Sequence, residues 1–215
     1  MFASRPSDTM ITTRILATDQ LDIAADILHR GGLVVFPTDT VYGVAALARN
    51  AGAVAAIYRA KQRPATLPIP VMVAEPGQVQ EVAWLLPGFR ELTGLFWPGP
   101  LTIILPKREP LPAIVTAGGD TVALRIPDHP LALELLRRVD APLAVTSANL
   151  SGQPPARTAQ EARAQLDGRV DAIVDGGVAP GGEPSTLLDL TCSPSAILRR
   201  GPVTEAQIRA VLAND

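Results

Sequence analysis

Short apolar runs alternate with amphipathic stretches along most of this chain. Residues 33–36 form a run of four apolar side chains without a polar interruption, which is typical of a strand covered on both faces. In the preceding stretch, four apolar residues recur at helical spacing between positions 21 and 28. This spacing predicts a helix that Asp19 caps, that runs to about His29, and that ends at Gly31-Gly32.

The same patterns predict the rest of the secondary structure. Strands are predicted over residues 69–73, 101–105, 122–126 and 143–145, and near Ile173, Leu187 and Ile197. Helices are predicted over residues 51–60, 78–85, 89–96, 128–138, 159–166 and 204–212. Because strands and helices interleave without a repeat or a long linker, we expect a single α/β domain with a mixed sheet over residues 13–215. Residues 1–12 are predicted to be a flexible tail.

Composition narrows the possible functions. The chain has 215 residues, a net charge of −2 and 4% aromatic residues, so nucleic-acid binding would need a local basic patch. A single cysteine, Cys192, excludes an internal disulfide and is expected to be a buried or half-buried thiol. Neither a signal peptide nor a membrane-length apolar run is present, so we expect a cytoplasmic protein that contacts no membrane.

Two cations follow the helix that is predicted over residues 51–60. Lys61 and Arg63 close an alanine-rich helix, and Pro64 stops it. Since Pro64 disfavours helical geometry at Arg63, an extended segment would place both cations on one side, where they could hold a phosphate or a carboxylate. A solvated helix end with favourable charges is the simpler alternative.

A second polar cluster follows the strand at residues 143–145. Ser147 and Asn149 would face the same way in an extended chain and could bind phosphate, ribose or a base edge. Taken alone, however, the cluster is better explained as a simple turn. Arg125 lies in an otherwise apolar strand. It must therefore lie at a strand end or pair with an anion, supplied either by the protein or by a ligand. His29 and His129 are expected at a helix end and a helix start.

The standard nucleotide and hydrolase motifs are missing from the sequence, including the P-loop, the Gly-x-Gly-x-x-Gly turn, His-Glu-x-x-His and Gly-x-Ser-x-Gly.

Taken together and in order, seven segments resemble the YrdC-like family of threonylcarbamoyl-AMP synthases. They are GLVVFPTDTVYG at 32–43, KQRPATLPIPVMV at 61–73, residues 97–105, TVALRIPDHP at 121–130, VTSANLSG at 145–152, and residues 175–189 and 197–201. The resemblance implies a YrdC-like fold, which is α/β (α+β in some schemes), with a twisted mixed sheet flanked by helices and a concave ligand-binding face. It also implies the short, single-domain form.

The resemblance implies a reaction in which L-threonine, bicarbonate and ATP give threonylcarbamoyl-AMP and pyrophosphate. The product would serve the N6-threonylcarbamoyl modification of tRNA adenosine 37, through downstream transfer proteins and with at most weak RNA contact. Mg²⁺ would enter with ATP and be held mainly by phosphates, without a protein metal site. Matching positions put six residues on the ATP side: Lys61, Arg63, Thr121, Ser147, Asn149 and Arg199. Lys61 and Arg63 would be catalytic, while Thr40, Arg125 and Ser185 fall on the threonine side.

Three positions depart from the family pattern. Leu67 stands where Asn or Lys is common, Met72 where His is frequent, and Pro155 where Ser is common. These changes leave open a paralogue that acts on another carbamoyl or adenylate substrate. A structured-RNA-binding module is the other alternative, and it would use a larger cationic set: Arg59, Lys61, Arg63, Lys107, Arg108, Arg199 and Arg200.

Overall fold

A computed structural model describes residues 12–181 and 184–213. The predicted tail therefore lies outside the described residues except for Thr12, and so does part of the glycine-rich stretch before Pro184. The strands are β1 (Arg14–Leu16), β2 (Val34–Pro37), β3 (Tyr42–Leu47), β4 (Val71–Met72), β5 (Leu101–Pro106), β6 (Thr121–Arg125), β7 (Leu143–Ser147), β8 (Ala172–Val174), β9 (Thr186–Asp189) and β10 (Ala196–Arg199).

The ten strands within residues 12–181 and 184–213 form one mixed sheet. Their order is β1-β8-β2-β3-β7-β4-β6-β5-β9-β10. Antiparallel pairs join β2, β3, β7 and β4 in turn, whereas β4 and β6 run parallel. Strands β6 and β7 therefore run in opposite directions. The end of β7 pairs with the start of β3, beside the turn between β2 and β3, whereas the end of β6 is level with the start of β7.

The helices are α1 (Leu21–His29), α2 (Ala51–Lys61), α3 (Phe89–Phe96), α4 (Pro130–Val139), α5 (Ala159–Leu166) and α6 (Glu205–Leu212). Buried residues of α1 and α4 belong to one core cluster, and those of the other four helices belong to another.

Strand β2 shows how helices flank the sheet on both sides. Leu33 and Val35 belong to the core cluster of α2, whereas Val34 and Phe36 belong to the core cluster of α1 and α4. Successive side chains of a strand point to opposite faces, so this alternation places the two clusters on opposite faces of the sheet. The uninterrupted apolar run is therefore confirmed as a strand covered on both sides.

Local chemistry fixes several helix starts. Asn50 accepts a hydrogen bond from the amide of Ala53 at the start of α2, and Thr158 accepts one from Glu161 at the start of α5. Thr204 and Gln207 form a capping box before α6. These side chains satisfy amides that have no partner within the first helical turn.

Several local predictions are wrong. Residues 78–85 do not form an α-helix; a 3-10 helix (Pro76–Glu81) ends there, and Ala83 then bridges Lys107 of the neighbouring chain segment. Gln20, not Asp19, precedes α1, and its side chain makes no capping bond. Cys192 is exposed.

Two strands were not predicted. Strand β1 is only three residues long, and β3 follows a polar turn whose residues resemble a loop. His29 and His129 do lie at a helix end and a helix start.

Candidate functional site

A pocket of about 650 Å³ opens over the middle of the sheet. Its walls come from the β2–β3 turn, the segment after α2, the strands β5 and β6, the end of β7, and the segment that leads into β9. Seven of the nine predicted site residues line it: Thr40, Arg63, Thr121, Arg125, Ser147, Ser185 and Arg199. Lys61 and Asn149 are not among the described residues that line this pocket.

The end of α2 separates the two cations that the sequence placed side by side. Gln62 adopts a left-handed conformation at φ 53°, and the amide of Arg63 donates to the carbonyl of Tyr58. The expected extended geometry at this point is therefore wrong. Arg63 lines the pocket and donates to the carbonyls of Leu67 and Pro68, whereas Lys61 turns into the protein.

Lys61 connects α2 to the end of β7. Its side chain is 1% exposed, and Nζ donates to the carbonyl oxygens of Ser147 and Asn149 at 2.5 and 2.6 Å. The amide of Ser151 donates back to the carbonyl of Lys61. Burial, with a smaller effect from the charge of Arg63, lowers the pKa of Lys61 to about 8. Within the described chain this buried ammonium has carbonyl partners and no carboxylate.

The segment after β7 is a turn, as in the simpler of the two sequence interpretations. The amide of Asn149 donates to the carbonyl of Ser147, and Nδ2 of Asn149 donates to the carbonyls of Leu150 and Gln153. Its Oδ1 is buried without a hydrogen-bond partner in the described structure. Ser147 reaches the pocket, and Asn149 shapes the turn behind it.

The sequence required Arg125 either to lie at a strand end or to pair with an anion, and the structure shows both. It is the last residue of β6, it is 5% exposed, and its Nε donates to the carbonyl of Gly99 at 2.9 Å. Its Nη2 forms an ion pair with the carboxylate of Asp39 in the β2–β3 turn. Burial lowers the pKa of Arg125, and the charge of Asp39 opposes that shift.

Ser185 and Arg199 are bonded to each other. Arg199 donates through Nε to the carbonyl of Ser185 and through Nη2 to its Oγ. The same Oγ lies 2.6 Å from Oγ1 of Thr102, and both hydroxyls are buried. Thr102 on β5 therefore shares a hydrogen bond with a predicted threonine-side residue and also lines the pocket.

On the other wall, Oγ1 of Thr38 lies 3.1 Å from Oγ1 of Thr40, and both residues line the pocket. Thr121 is exposed at the start of β6.

Sequence reasoning missed three residues here: Thr38, Asp39 and Thr102. Thr38 and Asp39 lie inside a segment that the sequence had singled out, and the need of Arg125 for an anion was a signal for Asp39. Thr102 lies inside the segment 97–105 that matches the family pattern, but its position within an apolar strand did not mark its hydroxyl as part of a site.

The three positions that depart from the family pattern, Leu67, Met72 and Pro155, all line the pocket. They form apolar parts of its wall.

Within the described ranges, no three side chains of His, Cys, Asp or Glu cluster closely enough to hold a metal ion. In the same ranges, no helix is both long and apolar enough to cross a bilayer.

Comparison with known proteins gives a consistent result. The Sua5/YciO/YrdC family model, described as "Telomere recombination", matches residues 26–201. The chain is 44% identical to a threonylcarbamoyl-AMP synthase of Bacillus subtilis over 94% of its own length, and 41% identical to one of Pyrococcus abyssi over 90%. It spans 59% and 57% of those two proteins, respectively.

Solved structures show the same fold. P. abyssi Sua5 complexed with L-threonine superposes with a TM-score of 0.87 at 39% identity, covering 95% of this chain and 61% of that protein. E. coli YciO superposes with a TM-score of 0.79 at 25% identity, covering 93% of this chain and 99% of that protein. The twisted, unclosed mixed sheet flanked by helices is thus confirmed, and the chain belongs to the Sua5/YciO/YrdC family.

Proposed function

We propose that this protein is an adenylate-forming transferase, and more narrowly an L-threonylcarbamoyladenylate synthase of the nucleotidyltransferase class. One observation carries the proposal. The pocket brings three arginines, Arg63, Arg125 and Arg199, together with several hydroxyl groups, in a chain whose relative P. abyssi Sua5 was solved with L-threonine. Guanidinium groups and hydroxyls suit a ligand that carries both phosphates and a carboxylate.

The ATP side of the proposal uses the ends of α2 and β7. Arg63 is available from the pocket, and Lys61 lies behind it with one ammonium N–H left after its two carbonyl bonds. Both cations would neutralise phosphate charge as it develops, and neither needs to transfer a proton. Ser147, Thr121 and Arg199 would contact the nucleotide, and Asn149 would support the turn beneath it.

The proposed chemistry has two steps. The threonine amine adds to CO₂ derived from bicarbonate, loses a proton and becomes a carbamate. A carbamate oxygen then forms a bond to the α-phosphorus of ATP while the bond to the pyrophosphate oxygen breaks. Magnesium enters as MgATP, as part of the substrate.

The threonine side of the proposal uses Arg125, Thr40 and Ser185. Arg125 would bind the amino-acid carboxylate. Thr40 and Ser185 would hydrogen-bond the hydroxyl or ammonium group of threonine, which would discriminate against valine by a large factor. The product would pass to proteins that transfer the threonylcarbamoyl group to tRNA adenosine 37.

The test is pyrophosphate release from MgATP and bicarbonate, with and without L-threonine, and with the adenylate product identified by mass. Release that requires both threonine and bicarbonate is expected. L-Valine, which lacks the hydroxyl, should support much less release. Equal use of threonine and valine would contradict the placement of Thr40 and Ser185.

A second candidate is a paralogue with another carbamoyl or adenylate substrate. The apolar side chains of Leu67 and Met72 on the pocket wall favour it. ATP binding without threonine-dependent pyrophosphate release would select this candidate.

A further inference from the structure

Asp39 has no function so far, although it lies between two residues of the pocket wall. The turn around it is held by bonds that do not use its carboxylate. The amide and hydroxyl of Thr38 both donate to the carbonyl of Val41, and the amide of Thr40 donates to Oγ1 of Thr38. The Asp39 side chain is therefore not needed to form its own turn.

The only hydrogen bond of the Asp39 carboxylate within the described chain is to Arg125, 86 residues away. Its other oxygen, Oδ1, is buried without a hydrogen-bond partner there. Burying a carboxylate with an unused oxygen is costly. The bond to Arg125 offsets part of this cost, so Arg125 is the group to which the carboxylate is directly coupled, while its charge also acts on His129.

Two contacts fix the guanidinium of Arg125. Nε donates to the carbonyl of Gly99, and Nη2 donates to Asp39. A guanidinium has five N–H donors in one plane, so two anchors at different nitrogens set that plane and leave three donors. Arg125 lines the pocket, whereas Asp39 is not among the described lining residues. Asp39 and the carbonyl of Gly99 therefore hold the Arg125 guanidinium from behind, and a ligand in the pocket would contact the guanidinium itself.

We propose that Asp39 is a positioning residue that fixes the plane of the Arg125 guanidinium so that its remaining N–H groups receive the carboxylate of an α-amino acid. The inference rests on the proposed function, since it assigns the carboxylate to Arg125. Bidentate pairing of a guanidinium with a carboxylate depends strongly on geometry. Orientation by Asp39 would therefore determine how well carboxylate-bearing substrates bind.

A purely structural counter-ion role for Asp39 predicts the opposite result for one variant. If Asp39 only neutralised a buried cation, its removal would free Arg125 to attract the substrate carboxylate, and threonine would bind more tightly. If Asp39 orients Arg125, its removal weakens threonine binding. Asp39→Asn separates charge from geometry, because the amide oxygen still accepts from Nη2 while the negative charge is lost.

The experiment measures binding of L-threonine and of L-threoninamide, which lacks the carboxylate, by calorimetry to wild-type, Asp39→Ala and Asp39→Asn protein. Asp39→Ala should bind L-threonine about tenfold more weakly, the loss expected for one misaligned charge-assisted contact. Its affinity for L-threoninamide should stay within about twofold of wild type. Asp39→Asn should bind L-threonine at least as tightly as wild type does.

A ligand-free readout accompanies the calorimetry. The Nε–H signal of Arg125 in a ¹H–¹⁵N spectrum, assigned with Arg125→Lys, should be sharp in wild type and Asp39→Asn. It should be broadened in Asp39→Ala, where one anchor is gone.

The outcomes separate the two proposals. Tighter threonine binding by Asp39→Ala, or equal losses for threonine and threoninamide, would overturn the positioning role. An unchanged Arg125 signal in Asp39→Ala would overturn it too, even in a protein that binds no threonine. Wild-type protein that binds neither ligand would overturn the proposed function and the carboxylate part of this inference. The spectrum would still decide whether Asp39 orients Arg125.

Discussion

Two buried cations end two different elements at this pocket, and their surroundings differ. Lys61 ends α2 and has carbonyl partners, so its charge is not balanced by a carboxylate in the described chain. Arg125 ends β6 and is balanced by Asp39. An unbalanced cation suits a highly charged ligand such as a triphosphate, whereas a balanced one recognises a single carboxylate through its geometry. Under the proposed function, charge would dominate where Lys61 meets the end of β7, and orientation would dominate at the end of β6.

The largest loss of turnover is expected for Lys61→Met. This change removes the ammonium from the β7 side and leaves the carbonyls of Ser147 and Asn149 without that donor. Turnover in the pyrophosphate assay should fall by about 30-fold or more. Lys107→Met is the matched control, because Lys107 pairs with Glu109 and is not among the described lining residues. Similar turnover in Lys61→Met and Lys107→Met would contradict the proposal that the charge of Lys61 supports the reaction.

Arg63→Ala should affect activity far more than stability. Arg63 lines the pocket, and its side chain contacts the carbonyls of Leu67 and Pro68 and the hydroxyl of Tyr58, so turnover should fall by about 30-fold. The melting temperature should change little. Arg59→Ala, at an exposed position on the same helix end, should keep wild-type turnover. A near-normal rate in Arg63→Ala would refute its assigned role.

The unbalanced charge of Lys61 also predicts a pH dependence of stability. Its pKa is about 8 in the folded protein and about 10.4 in an unfolded chain. Between these values the unfolded state binds more protons, so the free energy of unfolding rises with pH. From pH 7.5 to 9.5, wild-type protein should gain about 1–2 kcal/mol relative to Lys61→Met in urea unfolding. Parallel pH profiles for the two proteins would show that Lys61 keeps an ordinary pKa.

The smallest effect is expected on the KM for L-threonine, from a change that affects only the orientation of the Ser185 hydroxyl. Thr102→Val removes the hydroxyl that lies 2.6 Å from Oγ of Ser185 and preserves the side-chain shape. Since Arg199 still holds Ser185, the KM for L-threonine should rise only about fivefold, with turnover nearly unchanged. Thr93→Val removes a similarly buried hydroxyl in α3, and it should leave the KM unaltered. An equal rise in both variants would mean that general destabilisation explains the effect.

Much of the fold was predictable because hydrophobic periodicity reports which faces are buried. The continuous run in β2 and the helical spacing in α1 were interpreted correctly. Residues 78–85 were not, because their apolar spacing fits a helix while Ala83 instead bridges Lys107. Strand β3 was missed because the polar turn before it and Gly43 suggested a loop, although 44–47 is an apolar run.

The candidate site was predictable in its membership more than in its geometry. Seven of the nine predicted residues line one pocket, although their chemical roles stay predictions. Lys61 and Asn149 lie behind the wall because of the left-handed Gln62 and the tight turn at Asn149. Neither conformation follows from residue spacing. A residue such as Gln62 adopts a left-handed backbone only when its surroundings hold it there, and the turn at Asn149 depends on hydrogen bonds to Leu150 and Gln153.

The sequence by itself determined the alternation of strands and helices, the family resemblance, and the requirement that Arg125 lie at a strand end or pair with an anion. These properties follow from the spacing of apolar side chains along the chain and from the cost of burying a lone charge, both of which can be read from short segments of sequence. Only the tertiary structure decided that Asp39 is that anion, that Lys61 bonds to the end of β7, and that Thr102 contacts Ser185. Those pairs are separated by 86, 86 and 83 positions in the chain. They meet because the sheet order, which no local pattern specifies, places their strands and turns together.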